Sequence, residues 1–124
     1  MALVTPAFEL IAANVGDSRI VLSANGEAIP LSTDHKPTVA AETARIRQAG
    51  GFVEAGRVNG ALALSRAVGD FEYKKNANLG PEAQMVTAYC DITERKLNPE
   101  DEFIVMACDG KWKKERKKER RGYS

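Results

Sequence analysis

FIVMACDG, residues Phe103 to Gly110, passes from five apolar residues and a cysteine directly into a carboxylate and a glycine. Ile104 to Cys108 is apolar without the alternation of a strand that has one solvated face, so it predicts a strand covered on both faces. Asp109 lies where that strand should end, and Gly110 permits a sharp turn. A carboxylate at the end of a rigid strand suits a hard divalent cation, although Asp109-Gly110 alone is more typical of a simple turn.

The length and composition of the chain limit the classes of protein to which it can belong. The chain has 124 residues, of which 44% are hydrophobic, as in a single soluble globular domain. Its apolar runs are shorter than the ~18 to 20 residues of a membrane-spanning helix, and its start lacks the pattern of a secretion signal. We therefore expect a cytoplasmic protein without a membrane partner. Two cysteines, Cys90 and Cys108, are too few for a disulfide framework, and Cys108 is predicted to be a reduced thiol buried in the strand.

The charge is unevenly distributed along the chain. Residues 111–124 contain eight Lys or Arg and two Glu, a local charge of +6. Residues 1–110 carry ten basic and fifteen acidic residues, a charge of −5. We therefore divide the chain into a folded part, residues 1–110, and a basic tail, residues 111–124, that is expected to be disordered or partly helical.

A basic tail of this kind can attract nucleic acid, an anionic membrane or a nuclear import receptor, so a nuclear location stays open beside the cytoplasmic one. The alternative is a solvated terminus without a partner. The tail has aromatic residues only at Trp112 and Tyr123, too few for the stacking that single-stranded nucleic acid favours. The solvated terminus is the favoured interpretation, and nucleic-acid binding is not expected.

Strand patterns dominate the first 31 residues. Phe8–Val15 is nearly all apolar, and Arg19–Ala24 resumes a β-rich pattern after a polar corner at Gly16-Asp17-Ser18. Asn25-Gly26 is a strong hairpin signal and predicts a returning strand at Glu27–Leu31. These features predict an antiparallel meander.

One helix and several short elements follow. Thr38–Ala49 consists of helix formers, and Gly50-Gly51 is typical of a helix C-terminus. The segment from Gly51 to Leu62 indicates a compact excursion with short strands, and Asp70–Gly80 predicts a short helix or surface loop. Gln84–Cys90 alternates polar and apolar residues, which predicts a strand.

Counting along the sequence excludes several catalytic classes. A cysteine phosphatase needs an Arg six residues after its Cys to bind phosphate, but Lys96 and Lys114 lie six residues after the two cysteines. The sequence has no Walker loop and no GxGxxG. His35, the only histidine, is a conceivable general base, but a single His in a Pro-bounded loop is more typical of structural hydrogen bonding.

Three aspartates lie next to glycines at the ends of predicted strands or loops: Asp17, Asp70 and Asp109. Each one alone is typical of a turn. Together they are consistent with an open Mg²⁺ or Mn²⁺ site, because such sites are assembled from carboxylates that converge from separate strand ends.

Five motifs occur in order between about residues 12 and 110. They are Ala13-Asn14-Val15-Gly16-Asp17-Ser18-Arg19; Leu31-Ser32-Thr33-Asp34-His35-Lys36-Pro37; Glu42 with Arg45-Ile46 and Ala49-Gly50-Gly51; Arg57-Val58-Asn59-Gly60 through Leu64-Ser65-Arg66-Ala67-Val68-Gly69-Asp70; and Ala107-Cys108-Asp109-Gly110. With these motifs in this order, the chain resembles the metal-dependent protein phosphatase family (PPM, protein phosphatase 2C type).

The resemblance implies an α+β fold, an αββα sandwich in which two antiparallel sheets face each other and helices cover their outer sides. It also implies hydrolysis of phosphoserine and phosphothreonine in phosphoproteins, by water activated at a two-metal centre of Mg²⁺ or Mn²⁺. By motif match, Asp109 corresponds to a ligand of that centre and Asp17 to a ligand of an additional, weaker metal site. The Gly51–Leu62 segment resembles part of the flap beside the family's active site, and Arg66 and Asp70 are expected to have structural roles.

Several motifs of the family are missing from this sequence. They are an Arg for the substrate phosphate, a Glu-Asp pair, an Asp-Gly-His-Gly motif with a bridging metal ligand and a general-acid His, and a C-terminal Asp-Asn motif. After Asp109-Gly110, Lys111-Trp112-Lys113 keeps the family's Trp but lacks the Asp that follows it. Residues 1–110 are therefore predicted to be a partial sandwich domain, its middle to C-terminal half, truncated at both ends.

This partial domain leaves two functions open, and with them the question of whether the isolated chain is an enzyme. In the first, it has no catalytic residue of its own, binds Mg²⁺ or Mn²⁺ weakly, and acts on phosphoproteins only when the missing segments are supplied. In the second, it is a non-catalytic interaction or decoy module that binds partners of the full-length phosphatase. In both, apolar faces at Phe8–Val15 and Phe103–Cys108 are expected to lack cover and to favour self-association.

Overall fold

The computed structural model describes residues 1–109. The regular elements in chain order are β1 (Ala2–Val4), β2 (Glu9–Asn14), β3 (Arg19–Ala24), β4 (Glu27–Pro30), α1 (Ala40–Gln48), β5 (Val53–Glu54), β6 (Arg57–Val58), β7 (Asp91–Lys96) and β8 (Asp101–Ala107). The strands form antiparallel sheets in the orders β1-β2-β7, β4-β3-β8 and β5-β6. The predicted tail, residues 111–124, lies outside the described residues.

The two three-stranded sheets enclose the main core. β2 and β3 each alternate between buried residues and more exposed ones, which is the pattern of a strand with one inward face. The inward residues of both strands belong to a single cluster: Leu10, Ala12, Ile20, Leu22 and Ala24, with Leu31. The core therefore lies between the two sheets, which confirms the predicted α+β fold with facing antiparallel sheets.

The predicted meander is wrong in one connection. β3 and β4 form the expected hairpin, and its turn residues, Asn25 (φ 51°) and Gly26 (φ 74°), are both left-handed, as a type I′ turn requires. β2 and β3, however, belong to different sheets, because β2 pairs with β7 from much later in the chain. Gly16, with φ 101°, lies in the corner that carries the chain from one sheet to the other.

β8 forms as predicted, but the prediction that it is covered on both faces is wrong. Phe103 and Met106 are 58% and 59% exposed, whereas Ile104 packs against the main core. Cys108 is exposed and not buried. Within residues 1–109, β8 has a neighbouring strand on one side alone. An apolar run indicates that a strand is stable when both of its faces are covered. In the described part of the chain, no second layer covers the outer face of β8.

Helix α1 and the small β5–β6 hairpin form a second cluster. The helix ends at the predicted glycines, since Gly50 (φ 90°) donates its N–H to the carbonyl oxygen of Arg47 at 3.0 Å. Ile46 of the helix packs with Val58 of β6 and with Val86, and all three are 0% exposed. The excursion predicted at residues 51–62 is therefore anchored to α1 through its own buried residue.

The strand predicted at Gln84–Cys90 is not formed, and β7 begins at Asp91. The segment makes one isolated bridge, between Arg66 and Thr87. Its polar side chains bind nearby backbone instead: Gln84 Nε2 donates to two loop carbonyls, and Thr87 Oγ1 donates to a third. Such local hydrogen bonds compete with a sheet ladder, which explains why the alternating pattern failed as a guide.

The segment predicted as a short helix or loop, Asp70–Gly80, contains a 3₁₀ turn at Phe71–Tyr73, and a second 3₁₀ turn follows at Pro81–Ala83. Across residues 1–109, the helices are all too short or too polar to cross a lipid bilayer.

Candidate metal centre

Two aspartates lie at the same end of one sheet. In the antiparallel ladder between β3 and β8, Arg19 is paired with Ala107. Asp17 lies two residues before Arg19, and Asp109 lies two residues after Ala107, so both aspartates flank the same end of the ladder. Asp109 is exposed and Asp17 is partly exposed, which leaves both carboxylates accessible from solvent.

The corner that carries Asp17 depends on a glycine and a lysine. A Cβ at Gly16 would lie 3.3 Å from the carbonyl oxygen of Arg66, and its positive φ is also strained for any other residue. Lys36 Nζ donates to Asp17 Oδ2 and forms an ion pair with it. The carboxylate of Asp17 therefore already has an internal counterion, and a bound cation would compete with Lys36 for it.

His35 stabilises the corner at Gly16 and Asp17 through a hydrogen bond to its backbone. The side chain is buried, and its Nδ1 accepts the N–H of Gly16 at 3.0 Å. Because Nδ1 is an acceptor, the ring proton lies on Nε2, which donates to Asp91 Oδ2 at 2.7 Å. Both ring nitrogens are thus engaged with the protein, which agrees with the predicted structural hydrogen bonding and leaves neither nitrogen free to act as a base.

Asp91, at the start of β7, links His35 to Arg66. Its carboxylate accepts from His35 on one oxygen and from Arg66 Nη1 on the other, at 3.2 Å. The hydrogen bond from His35 holds the pKa of Asp91 below its usual range, and the Arg66 charge acts in the same direction against partial burial. This carboxylate therefore stays ionised and fixes the orientation of the imidazole.

Glu42 of α1 is the buried centre of the network, with 2% of its side chain exposed. Arg66 Nη2 lies 2.7 Å from Glu42 Oε1, Arg45 Nη1 lies 2.8 Å from Oε2, and the Ser65 hydroxyl donates to Oε2 at 2.5 Å. Burial raises the pKa of Glu42, but the hydrogen bonds from Arg66, Ser65 and Arg45 outweigh it and lower the pKa to about 2. Ser65 and Arg66 thereby tie α1 to the segment that precedes Asp70, whereas Arg45 pairs with Glu42 within α1.

The pKa of Glu42 predicts how stability depends on pH. Its pKa is 4.5 ordinarily and about 2 in the folded chain, so the stabilisation is complete above pH 4.5 and is lost as the pH falls towards 2. Urea denaturation between pH 6 and pH 2 should show this loss, and Glu42→Gln should flatten it. Glu27→Gln, at an exposed position, controls for the loss of one charge. An identical pH slope for Glu42→Gln and the unmodified chain would contradict the prediction.

Arg66 has the structural role expected of it, and Asp70 contributes its backbone to a turn. Arg66 joins Glu42 to Asp91, as described above. Asp70 (φ 49°) starts the 3₁₀ turn, where its carbonyl oxygen accepts the N–H of Tyr73 at 3.0 Å. The Asp70 side chain makes no capping hydrogen bond there, so a structural role for its carboxylate stays a prediction.

The flap-like segment at Gly51–Leu62 packs closely against Met85. The Asn59 side chain accepts the N–H of Phe52 at 3.1 Å and donates to Met85 Sδ at 3.2 Å. A Cβ at Gly51 would come within 2.6 Å of Met85 Sδ, so any larger residue there would require the Met85 side chain to move. The base of the segment is therefore fixed, whereas Phe52 itself is 51% exposed.

The carboxylates of this corner are suitable donors for a divalent metal, but the described residues do not form a complete site. Between residues 1 and 109, no three side chains of the His, Cys, Asp or Glu type converge closely enough to hold an ion. Asp17 and Asp109 are hard oxygen donors of the type that Mg²⁺ and Mn²⁺ prefer, but a stable Mg²⁺ site takes about six oxygen ligands. The oxygen donors are therefore of the right type for Mg²⁺ or Mn²⁺, but residues 1–109 supply too few of them for a complete site. The assignment of Asp17 and Asp109 as metal ligands stays a prediction.

The sequence analysis did not predict the hydrogen-bond network of Glu42, Arg66, Asp91 and His35 that supports the Asp17 corner. Glu42 and Asp91 both belong to it, yet the first reads as an ordinary helical acid and the second as a strand-start residue. The single available signal is the spacing of Glu42 and Arg45, which favours an ion pair on one helix face.

Comparison with known proteins supports the motif assignment. A family model described as Protein phosphatase 2C matches residues 1–120. Protein phosphatase 2C homolog 2 of Schizosaccharomyces pombe is 56% identical over 111 residues, which cover 90% of this chain and 30% of that protein. Protein phosphatase ppm-1.G of Caenorhabditis elegans is 60% identical over 104 residues, which cover 84% of this chain and 21% of that protein.

A solved structure agrees with this match. The crystal structure of a phosphatase from a pathogenic strain of Toxoplasma gondii is 48% identical, with a TM-score of 0.68, over 69% of this chain and 27% of that one. The chain thus spans less than a third of the length of these relatives. Because the family model matches nearly the whole chain, and the facing sheets and ordered motifs agree with it, the chain belongs to the protein phosphatase 2C family.

Proposed function

We propose that this chain is a metal-binding part of a protein serine/threonine phosphatase, active on phosphoserine and phosphothreonine in phosphoproteins when the family's other metal-ligand motifs are present. Asp109 contributes to the Mg²⁺ or Mn²⁺ centre, and Asp17 contributes to an additional, weaker site. The observation that carries the proposal is the placement of both aspartates at one accessible end of the β3–β8 ladder. Membership of the family supports the type of reaction.

The chain's own residues hold the two carboxylates in position. The β3–β8 ladder fixes the strand end that carries Asp109. His35 binds the backbone of Gly16, and Lys36 binds the side chain of Asp17. When bound, Mg²⁺ or Mn²⁺ would supply charge neutralisation at the phosphoryl group and an activated water.

The isolated chain is proposed to bind Mn²⁺ weakly and to have little or no activity. Two carboxylates do not offset the cost of dehydrating a divalent cation, and the sequence lacks the family's Asp-Gly-His-Gly motif. Its phosphoprotein substrates and its cytoplasmic location belong to the same proposal.

Complementation tests the proposal directly. We expect hydrolysis of a phosphothreonine peptide in Mn²⁺ when the full chain is mixed with a polypeptide that carries the Asp-Gly-His-Gly and Asp-Asn motifs, and background rates for either alone. Asp109→Ala should lower the restored rate by about 100-fold or more, because it removes a ligand. Asp34→Ala is the matched control, since this carboxylate pairs with Arg19 at the surface.

A second readout does not depend on turnover. Paramagnetic broadening by Mn²⁺ should affect the amide resonances of Ser18 and Cys108, and Asp109→Ala should remove the effect at Cys108. Broadening that is unchanged in Asp109→Ala, or a restored rate equal to that of Asp34→Ala, would contradict the assignment of Asp109.

A non-catalytic interaction module is the second candidate, and the exposed apolar residues of β8 favour it. Under this alternative, mixing would produce a complex without hydrolysis. Size-exclusion chromatography alongside the activity assay separates the two candidates, because it reports binding whether or not the complex turns over.

A further inference from the structure

Two loop segments meet at the Asp17 corner through a reciprocal pair of hydrogen bonds. Gly16 donates its N–H to His35 Nδ1 at 3.0 Å, and the backbone N–H of His35 donates to the carbonyl oxygen of Gly16 at 2.9 Å. This exchange fixes the two segments against each other, so the next residue on each segment lies beside the other. Those residues are Asp17 and Lys36, and their side chains form an ion pair.

The backbone on both sides of Lys36 is held in place. The carbonyl oxygen of His35 accepts two hydrogen bonds from Ser65, from its N–H at 3.1 Å and from its hydroxyl at 2.9 Å. Pro37 is fully buried, and its carbonyl oxygen accepts from the Thr43 hydroxyl at 2.6 Å. The ammonium group of Lys36 is therefore attached to a fixed base, and it can move only by rotation of its own side chain.

Lys36 is the direct ion-pair partner of Asp17 among residues 1–109. Arg19 lies two residues from Asp17 along the chain, but its guanidinium binds both carboxylate oxygens of Asp34, at 3.1 and 3.0 Å. Because Arg19 is engaged in this bidentate pair, it does not replace the ammonium group of Lys36 at Asp17.

The ion pair between Lys36 and Asp17 is only partly buried, so it can open. Their side chains are 43% and 20% exposed. An ammonium group that leaves such a pair is hydrated again, whereas opening a fully buried pair strands a charge. A monovalent ion carries no more charge than Lys36, which is already tethered beside the carboxylate. A divalent ion is attracted twice as strongly at the same distance.

We propose that Lys36 is an exchangeable counterion, which stays on Asp17 until a divalent cation displaces it. Lys36 thereby sets the cation concentration at which the Asp17 site fills, and it favours divalent over monovalent cations. This inference deepens the proposed function and rests on its assignment of Asp17 to an additional, weaker metal site. The competition with Lys36 supplies a physical reason for that weakness.

A Mn²⁺ titration of the full chain tests the exchange, with paramagnetic broadening of the Ser18 amide resonance as the readout. Lys36→Met removes the charge and keeps the length of the side chain. It should lower the Mn²⁺ concentration that halves the Ser18 signal by about tenfold. Lys36→Arg keeps the charge and should leave that concentration unchanged. Lys96→Met is the matched control, because Lys96 is exposed at the far end of the β2–β7 ladder from the Asp17 corner.

Two further measurements locate the effect. In an Asp17→Asn background, Lys36→Met should not change the broadening of Ser18, because the carboxylate for which the two cations compete is gone. In the unmodified chain, Mg²⁺ should increase the fast mobility of the Lys36 side chain, measured by NMR relaxation of its Cε group, and leave that of Lys96 unchanged. This measurement needs no substitution, so it remains valid if Lys36→Met unfolds.

The outcomes that overturn this proposal differ from those that overturn the proposed function. Equal responses of Ser18 in Lys36→Met and the unmodified chain, or an equal gain in Lys96→Met, would exclude Lys36 as the competing counterion. A gain that persists with Asp17→Asn, or a Lys36 side chain whose mobility does not rise in Mg²⁺, would exclude it too. The phosphatase activity is tested separately, by complementation and Asp109→Ala. A gain at Ser18 without hydrolysis on complementation would support the exchange and contradict the proposed function.

Discussion

Arg66→Ala is expected to lower the free energy of unfolding by about 3 kcal/mol, because the substitution removes one partner of a buried ion pair. The substitution leaves Glu42, with its side chain 2% exposed, without its closest cation. The expected loss lies at the lower end of the usual range because Arg45 and Ser65 still bind Glu42. Urea denaturation at pH 7, followed by circular dichroism, measures the change.

The matched control for this prediction is Arg19→Ala. Arg19 forms a similar bidentate pair with Asp34, but its side chain is 56% exposed, so the expected loss is below about 1 kcal/mol. Equal losses for the two variants would mean that Glu42 is hydrated in solution. The buried network would then not hold α1 to the Arg66 segment.

Leu22→Ala is expected to cost about 2 to 5 kcal/mol, the range for a large-to-small substitution in a packed core. Leu22 is 1% exposed and lies on β3, facing the cluster that β2 contributes from the other sheet. Removal of three side-chain carbons therefore opens a cavity between the sheets. A loss of this size would leave a marginally stable chain largely unfolded at room temperature.

Leu3→Ala removes the same atoms from a residue that is 55% exposed, and it should change stability by less than about 0.5 kcal/mol. The comparison isolates burial from side-chain identity. If the two leucines proved equivalent, the facing sheets would not share the core that their alternating burial indicates.

Local signals in the sequence predicted local structure well. The type I′ hairpin at Asn25-Gly26 and the helix end at Gly50 each depend on a left-handed backbone that the residues themselves favour. The strand that pairs with β2 was not predictable in this way. β7 lies far along the chain, and no feature of Phe8–Val15 identifies it as the pairing strand. Hydrophobic alternation identifies a strand's inward face but not the sheet to which it belongs.

The surroundings of the two candidate ligands were predictable only in part, for a similar reason. Asp17 and Asp109 are candidates because each lies next to a glycine within a motif. The hydrogen bonds that support the Asp17 corner cannot be predicted from the sequence, because His35 and Asp91 are separated by 56 residues and meet only in the folded chain. The exposure of β8 was also not predictable. Its apolar run indicates that the strand favours burial, but it does not indicate which part of the protein would cover it.

The pairing of β3 with β8 has a consequence for biosynthesis. Ser23 and Glu102 meet across a sequence separation of 79 residues. On the ribosome, β2 and β3 therefore emerge long before β7 and β8, which pair with them, and only local hairpins such as β1–β2 and β3–β4 can form early. Until β7 and β8 have been translated, the nascent chain displays the apolar faces of β2 and β3 to solvent. This is the interval in which a holding chaperone would protect it most.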